Sequence, residues 1–202
     1  MQSIVLKSPS IDYFLAKFRD KNSDTYTCNM CVETISFFLA NEASKYLSTE
    51  NIDVKTPLGR KLCPVISEEV ILLPVLRAGV SMLSGFQRIL QKSKTGFIWA
   101  HRDSEAHAKL DKYKLPKAIE GKTIVLLDTM LATGGTINLC CEIIKAYNPK
   151  QILCATVLST QTGLDNLTDD ISVILTAGIS DKLDSNLYVY PGVGDSGDRL
   201  YG

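Results

Sequence analysis

Ile124-Val125-Leu126-Leu127-Asp128-Thr129-Met130-Leu131-Ala132-Thr133-Gly134-Gly135-Thr136 is the stretch whose reading decides the fold. Its opening apolar run fits a strand covered on both faces of a parallel sheet, where no wet side interrupts the hydrophobic sequence. An acid, small residues and two adjacent glycines follow. Ile137, Cys140, Cys141 and Ile144 then recur at helical spacing. The order is strand, loop, helix start. Adjacent glycines let backbone N–H groups converge on one point, and the positive end of the helix dipole with the hydroxyls of Thr133 and Thr136 favours a phosphate there. Asp128, at the end of the strand, is placed to accept hydrogen bonds from sugar hydroxyls and to face positive charge on a ribose. The loop from Asp128 to Thr136 therefore reads as a grip for a ribose 5-phosphate.

The same alternation extends outward. Val70 to Leu76, Gly96 to Ala100, Thr123 to Leu127, Ile152 to Leu158 and Ile171 to Thr176 read as strands between helical stretches. Ahead of them, Ile11, Phe14, Leu15 and Phe18, and then Cys31, Ile35, Phe38 and Leu39, mark two opening helices. The expected fold class is α/β, a mostly parallel central sheet flanked by helices, in one domain over residues 1–202. Ligands in such a sheet belong at the carboxyl ends of the strands. The polar segment from Arg102 to Lys114, closed by Pro116, has the aperiodic look of a mobile active-site arm or of an ordinary surface hairpin. Residues 43–63 carry no functional signal.

Composition removes several classes. The chain has 202 residues, 45% of them hydrophobic, and Lys plus Arg and Asp plus Glu number 22 each. With zero net charge there is no broad basic field for a nucleic acid or an anionic membrane. No apolar run approaches the ~20 residues of a membrane span, and no signal peptide is visible, so a cytoplasmic protein is expected. The six cysteines are then expected as thiols. Cys28 and Cys31 have the spacing of half a zinc site, but no second pair lies near and the histidines, His101 and His107, are far along the chain; no metal site is expected from them. Gly121-Lys122-Thr123 precedes a strand instead of following one, and Gly192, Gly194 and Gly197 have no room for a dinucleotide fold after them.

Two arginines stand at predicted strand ends. Arg77 follows Leu73-Pro74-Val75-Leu76, and Arg102 follows Trp99-Ala100-His101. Planar guanidinium donors near the phosphate loop suit a diphosphate leaving group. The last segment, from Leu187 to Gly202, is rich in glycine yet bounded by aromatics, so it reads as a turn that brings backbone donors and acceptors to the edge of a flat ring. In a buried site of that kind an unmet hydrogen bond costs a wrong base on the order of 10⁴-fold. The plainer alternative is a surface turn with Asp195 and Asp198 as solvated acids.

Leu76-Arg77-Ala78-Gly79, the loop at 128–136 and Pro191 to Gly202 together resemble the uracil phosphoribosyltransferases over nearly the whole chain. The resemblance implies a type I phosphoribosyltransferase core, with a small hood from the N- and C-terminal segments. It also implies transfer of ribose 5-phosphate from 5-phosphoribosyl 1-diphosphate (PRPP) to N1 of uracil, giving UMP and diphosphate in pyrimidine salvage. By that resemblance Asp128, Arg77 and Arg102 serve catalysis. Arg77, Arg102, Asp128, Thr129, Met130, Leu131, Ala132, Thr133, Gly134, Gly135, Thr136 and Asp195 hold PRPP, and Val189, Gly194, Asp195 and Ser196 hold uracil. Mg²⁺ carried on PRPP, a homodimer or higher homo-oligomer, and GTP as an activator are further family expectations.

The chain departs from the family pattern at Thr129, which replaces a proline and is expected to loosen the loop, and at Thr136, which replaces serine. Residues 103–107 depart from an acidic Asn-Glu-Glu-Thr pattern, and the sequence stops a few residues short. The rival readings are a phosphoribosyltransferase for another base and a nucleotide-sensing, RNA-binding regulator on the same fold.

Overall fold

The computed structural model describes residues 1–102, 108–180, 182–185 and 187–202, with the backbone alone at Arg102. In chain order the elements are β1 (Gln2–Val5), α1 (Pro9–Arg19), α2 (Thr25–Ala43), β2 (Thr49–Thr56), β3 (Gly59–Ile66), β4 (Val70–Leu76), α3 (Leu83–Ile89), β5 (Lys94–Thr95), β6 (Phe97–Arg102), β7 (Ala108–Lys114), β8 (Thr123–Leu131), α4 (Gly135–Lys145), β9 (Gln151–Thr160), α5 (Gln161–Asp165), β10 (Ile171–Thr176), β11 (Ile179–Ser180), β12 (Lys182–Leu183), β13 (Val189–Tyr190) and α6 (Ser196–Tyr201). The main sheet has the order β1-β10-β9-β8-β4-β6-β7, with β5 beside β4 and β11 beside β9. Among the described residues every pairing in it is parallel except β6 with β7.

The side chains of β8 alternate between two cores. Val125 and Leu127 join Leu72 of β4 and Leu153 of β9 under the Ile11, Phe18, Val32, Ile35 and Leu39 side chains of α1 and α2. Ile124 and Leu126 join Ile71, Leu73 and Ile152 under Ile137, Cys140, Cys141 and Ile144 of α4. Both faces of the strand are dry, which is why four apolar residues run consecutively. Cys28 and Cys31 are buried residues of α2, and burial raises both thiols above their ordinary range. α1 is started by Ser8, whose hydroxyl accepts from Ile11 N–H at 3.2 Å, and by Pro9 in its first turn. Asp24 caps α2 in the same way, accepting from Thr27 N–H at 2.8 Å. No described helix is long and apolar enough to cross a membrane.

Strand order places the site. β4 is followed by β6 on one side of it, whereas β8, on its other side, leads away to β9. The carboxyl ends of β4 and β8 therefore flank the topological switch point, the crevice where open α/β sheets bind ligands.

Several short or exposed elements were not read from the sequence. β1 is a short parallel edge strand, and β2 with β3 forms a separate antiparallel hairpin, mostly exposed, in the stretch that gave no functional reading. The strand expected over 96–100 is displaced to Phe97–Arg102 and pairs antiparallel with β7; residues 103–107 between them lie outside the described residues. The segment from Arg102 to Lys114 is thus in large part a hairpin.

At the opposite, amino ends of the strands, Glu68 ties three elements together. It accepts from Thr123 Oγ1 at the start of β8, from Ser48 N–H at 2.7 Å, and pairs with Lys150 Nζ at 3.0 Å just before β9. Burial alone pushes this carboxyl up, but the bonds from Thr123, Ser48 and Lys150 outweigh it and hold it from 4.5 down to about 2. A depressed carboxylate contributes stability that is complete above its unfolded value and is lost as the pH falls through its folded one. Glu68→Gln is expected to lower the melting temperature at neutral pH and to flatten its decline between about pH 5 and about pH 2, followed by circular dichroism. A decline as steep as that of the unaltered protein would show that Glu68 does not govern the acid limb.

Candidate active site

At the end of β4 the chain turns sharply. The Leu76–Arg77 peptide is cis, and Gly79 lies so close to β8 that a Cβ there would sit 2.3 Å from the Leu127 carbonyl oxygen. Only glycine permits this approach, which brings Arg77 beside the end of β8. Its Nη2 donates to Asp198 Oδ1 of α6 at 2.8 Å.

β8 is longer than its apolar run suggests. It pairs with β9 through Asp128↔Thr156, Met130↔Leu158 and Leu131↔Ser159, so residues 128–131 are strand and the phosphate turn proper begins at Ala132. This corrects the expectation of a loop starting at Asp128: the acid is held by a ladder of backbone hydrogen bonds. It also corrects the expectation that Thr129 loosens the segment. Thr129 is fully buried and its hydroxyl meets that of Ser196 at 2.8 Å. Leu131 turns into the core on the α4 side, so it is available to a ligand through its backbone only.

The turn is built from behind. Thr160 Oγ1 donates to the Ala132 carbonyl at 2.5 Å and Asn166 Nδ2 to that of Thr133 at 3.2 Å. Gly134 adopts φ 88° and caps α4, a conformation that favours glycine. Gly135 is different. A Cβ there would meet nothing closer than Ala108 Cβ at 3.7 Å and Thr133 Oγ1 at 3.8 Å, so the protein's own packing does not require glycine. A ligand pressed against the helix start would require it. Behind the turn, burial and then the charge of Asp128 hold the Cys140 thiol well above its ordinary range, and burial pushes Cys141 up to about 12. Both are inert core residues.

The C-terminal segment forms the facing wall. After the β12–β13 pair, Gly192 packs so that a Cβ would lie 2.1 Å from the Val189 carbonyl oxygen, and Gly194 takes φ 76°. Asp195 then caps α6, its Oδ1 accepting from Asp198 N–H at 2.9 Å. The segment is anchored from the N-terminal helices. Arg199 donates to Phe18 O, to Val193 O at 3.0 Å and to Asp20 O at 2.6 Å, Asn29 Nδ2 donates to Leu200 O at 2.9 Å, and Arg19 donates to Pro191 O. Both acids are exposed, as the alternative of a surface turn expects, but each also has a partner: Asp195 caps α6 and Asp198 pairs with Arg77.

These walls enclose a cleft of about 850 Å³. Arg77, Asp128, Thr129, Met130, Ala132, Thr136, Val189, Gly194, Asp195 and Ser196 of the expected set line it; Thr133, Gly134 and Gly135, between Ala132 and Thr136 in the turn, do not. Arg102 ends β6, but its side chain lies outside the described residues. The wall also includes Trp99 and His101 from β6, and Tyr188. None of the three was singled out for the site from the sequence, although for Trp99 and His101 a place toward the carboxyl end of β6 was the available signal. His101 Nδ1 lies 2.7 Å from Asp111 Oδ2 across the β6–β7 hairpin.

A turn shaped for a phosphate on one strand, with an arginine on the strand beside it, suits a doubly anionic sugar, and the chain has the type I phosphoribosyltransferase fold. A hypoxanthine-guanine phosphoribosyltransferase from Bacillus anthracis superposes with a TM-score of 0.53 over 73% of this chain and 76% of that one, at 17% identity. Residues 5–202 match the uracil phosphoribosyltransferase family, and the chain belongs to that family. A uracil phosphoribosyltransferase of Dictyoglomus thermophilum is 35% identical over 98% of both chains, and one of Paenarthrobacter aurescens is 31% identical over 100% of this chain and 99% of that protein. The AQ2163 protein of Aquifex aeolicus has a TM-score of 0.93 at 28% identity, over 99% of this chain and 98% of that one.

The contrast between the two glycines is testable. Gly135→Ala is expected to keep the melting temperature within about 2 °C while raising the KM for the phosphorylated donor by about tenfold or more, whereas Gly134→Ala is expected to lose stability by about 1 kcal/mol from backbone strain. Equal losses of stability in both variants would show that Gly135 is structural.

Proposed function

We propose that this protein transfers ribose 5-phosphate from PRPP to N1 of uracil, giving UMP and diphosphate. The observation that carries the reading is that one cleft is walled by the phosphate turn after β8, by Arg77 after β4 and by the C-terminal turn at 194–196. Those are three places for three parts of the reaction: the 5-phosphate, the leaving diphosphate and the base. Attack by the base as diphosphate departs develops positive charge on the sugar ring, so positioning and electrostatics supply most of the acceleration. Asp128 faces that charge, while Arg77, with Arg102, takes up charge growing on the leaving group.

Mg²⁺ fits the donor chemistry. It prefers oxygen ligands and commonly takes them from phosphates, water and one or two carboxylates. Asp128 and Asp195 are carboxylates on the cleft wall, and among the described residues there is no cluster of three or more metal-ligating side chains. In this reading Mg²⁺ neutralises diphosphate charge, and the protein's own residues orient the ribose and base. A chromatographic assay with PRPP and Mg²⁺, offering uracil, cytosine, orotate, hypoxanthine and adenine in turn with and without GTP, is expected to yield a nucleotide from uracil alone. Product from a purine or orotate would replace the base assignment. Donor binding with no product, together with salt-dependent RNA binding, would turn the reading to a regulator.

The β2–β3 hairpin supports assembly with a second copy. Its strands pair along their whole length and mostly leave both faces exposed, with Leu58 100%, Leu62 65% and Ile52 41% exposed. A two-stranded hairpin is marginal alone, so contact with another subunit is the natural support for this arm. Sedimentation is expected to give a dimer or larger for the unaltered chain and a smaller species for the Leu58→Asp, Leu62→Asp double variant. A monomeric unaltered chain at micromolar concentration would contradict the assembly.

A further inference from the structure

We propose that Thr129 is a positioning residue for the base: its hydroxyl, through Ser196 Oγ, fixes the turn at 194–196 over the carboxyl end of β8. The inference rests on the reading of Val189 and residues 194–196 as the base site. It goes beyond that reading by assigning a base-side role to a residue of the phosphate strand.

The two hydroxyls lie 67 positions apart in sequence and 2.8 Å apart in space. Thr129 is 0% and Ser196 6% exposed, so water cannot readily replace either partner. Thr129 is held between Asp128↔Thr156 and Met130↔Leu158 in the pairing of β8 with β9. A β-branched side chain on a paired strand is stiff at χ1, so this hydroxyl is a fixed point.

Its partner is less secure. α6 has six residues; Asn29 anchors its far end, Asp198 pairs with the exposed Arg77 at 2.8 Å, and Arg199 ties Val193, just before Gly194, to the end of α1 through Val193 O at 3.0 Å and Asp20 O at 2.6 Å. The near end begins at Gly194, with φ 76°, and is capped by Asp195 within its own turn. Ser196 is the residue there whose side chain bonds to the sheet. Without that bond the turn can pivot at Gly194, and the cost falls on the groups directed at the base. The phosphate turn lies on the other side of Thr129, beyond Leu131, and is braced independently by Thr160 and Asn166.

Thr129→Val keeps the shape and the strand preference and removes the hydroxyl. Steady-state kinetics is expected to show the KM for uracil raised about tenfold, the size of a lost buried hydrogen bond, with the KM for PRPP changed by less than about twofold. Ser196→Ala should give the same pattern from the other side, the double variant should add little to either single one, and Thr129→Ser should restore most of the affinity. An equal rise in both KM values, a loss confined to kcat, or additive single effects would overturn the proposal. Gly194→Ala separates the two levels of inference. If it raises the uracil KM while Thr129→Val does not, the tie is wrong and the base site stands; if neither moves it, the base site itself is misplaced.

Discussion

The approach of the turn after β4 to the end of β8 is the constraint on which the cleft depends. Gly79 lies against the Leu127 carbonyl at a distance that excludes any side chain, and from that contact Arg77 and Asp128 acquire their relation across the switch point. β8 can serve as the reference surface because it is paired in parallel with β4 on one edge and β9 on the other, with a dry core on each face. Helices or loops would hold the acid less firmly. Extension of the pairing through Leu131 makes Asp128 and Thr129 part of that rigid surface and leaves the freedom to the turn that follows.

Charge is arranged locally in a chain whose net charge is zero. Arg77 and Asp198 pair at 2.8 Å, but their side chains are 56% and 69% exposed. A pair so accessible to water contributes little to stability, so Arg77 can exchange Asp198 for a diphosphate oxygen at small cost. At the other end of the strands the Glu68 carboxylate is held differently. The Glu68 side chain is only 6% exposed and multiply bonded, although its partners Ser48 and Lys150 reach the surface, and it joins the amino ends of the strands.

Much of this was legible in the sequence because the signals were local. Val70 to Leu76 and Ile171 to Thr176 were bounded as observed, and the strand-acid-glycine-helix order at 124–144 placed the phosphate turn within a few residues. What was missed is non-local or lacks periodicity. An acid and a threonine after an apolar run look like a loop, and only the facing strand β9 makes them a ladder. The β2–β3 hairpin has exposed residues on both faces, so it carries no alternation to detect. The anchors of the C-terminal segment, Arg19 and Arg199, meet backbone carbonyls far away in sequence, a relation no motif records.

Thr129, where the resemblance led to the expectation of a proline, illustrates why a motif departure has to be judged in three dimensions. Read along the chain, it restores a backbone N–H and removes a constraint on φ, which suggests a looser segment. Read in the fold, the position is an interior strand residue facing the first residue of α6, and what the new side chain introduces is a hydroxyl directed at Ser196. A proline ring has no donor or acceptor on its side chain and leaves Ser196 Oγ to find another partner. The hydroxyl therefore makes a long-range contact, 67 positions apart in sequence, between two walls of the cleft. On the C-terminal side that contact is made at the first residue of α6, a helix of six residues.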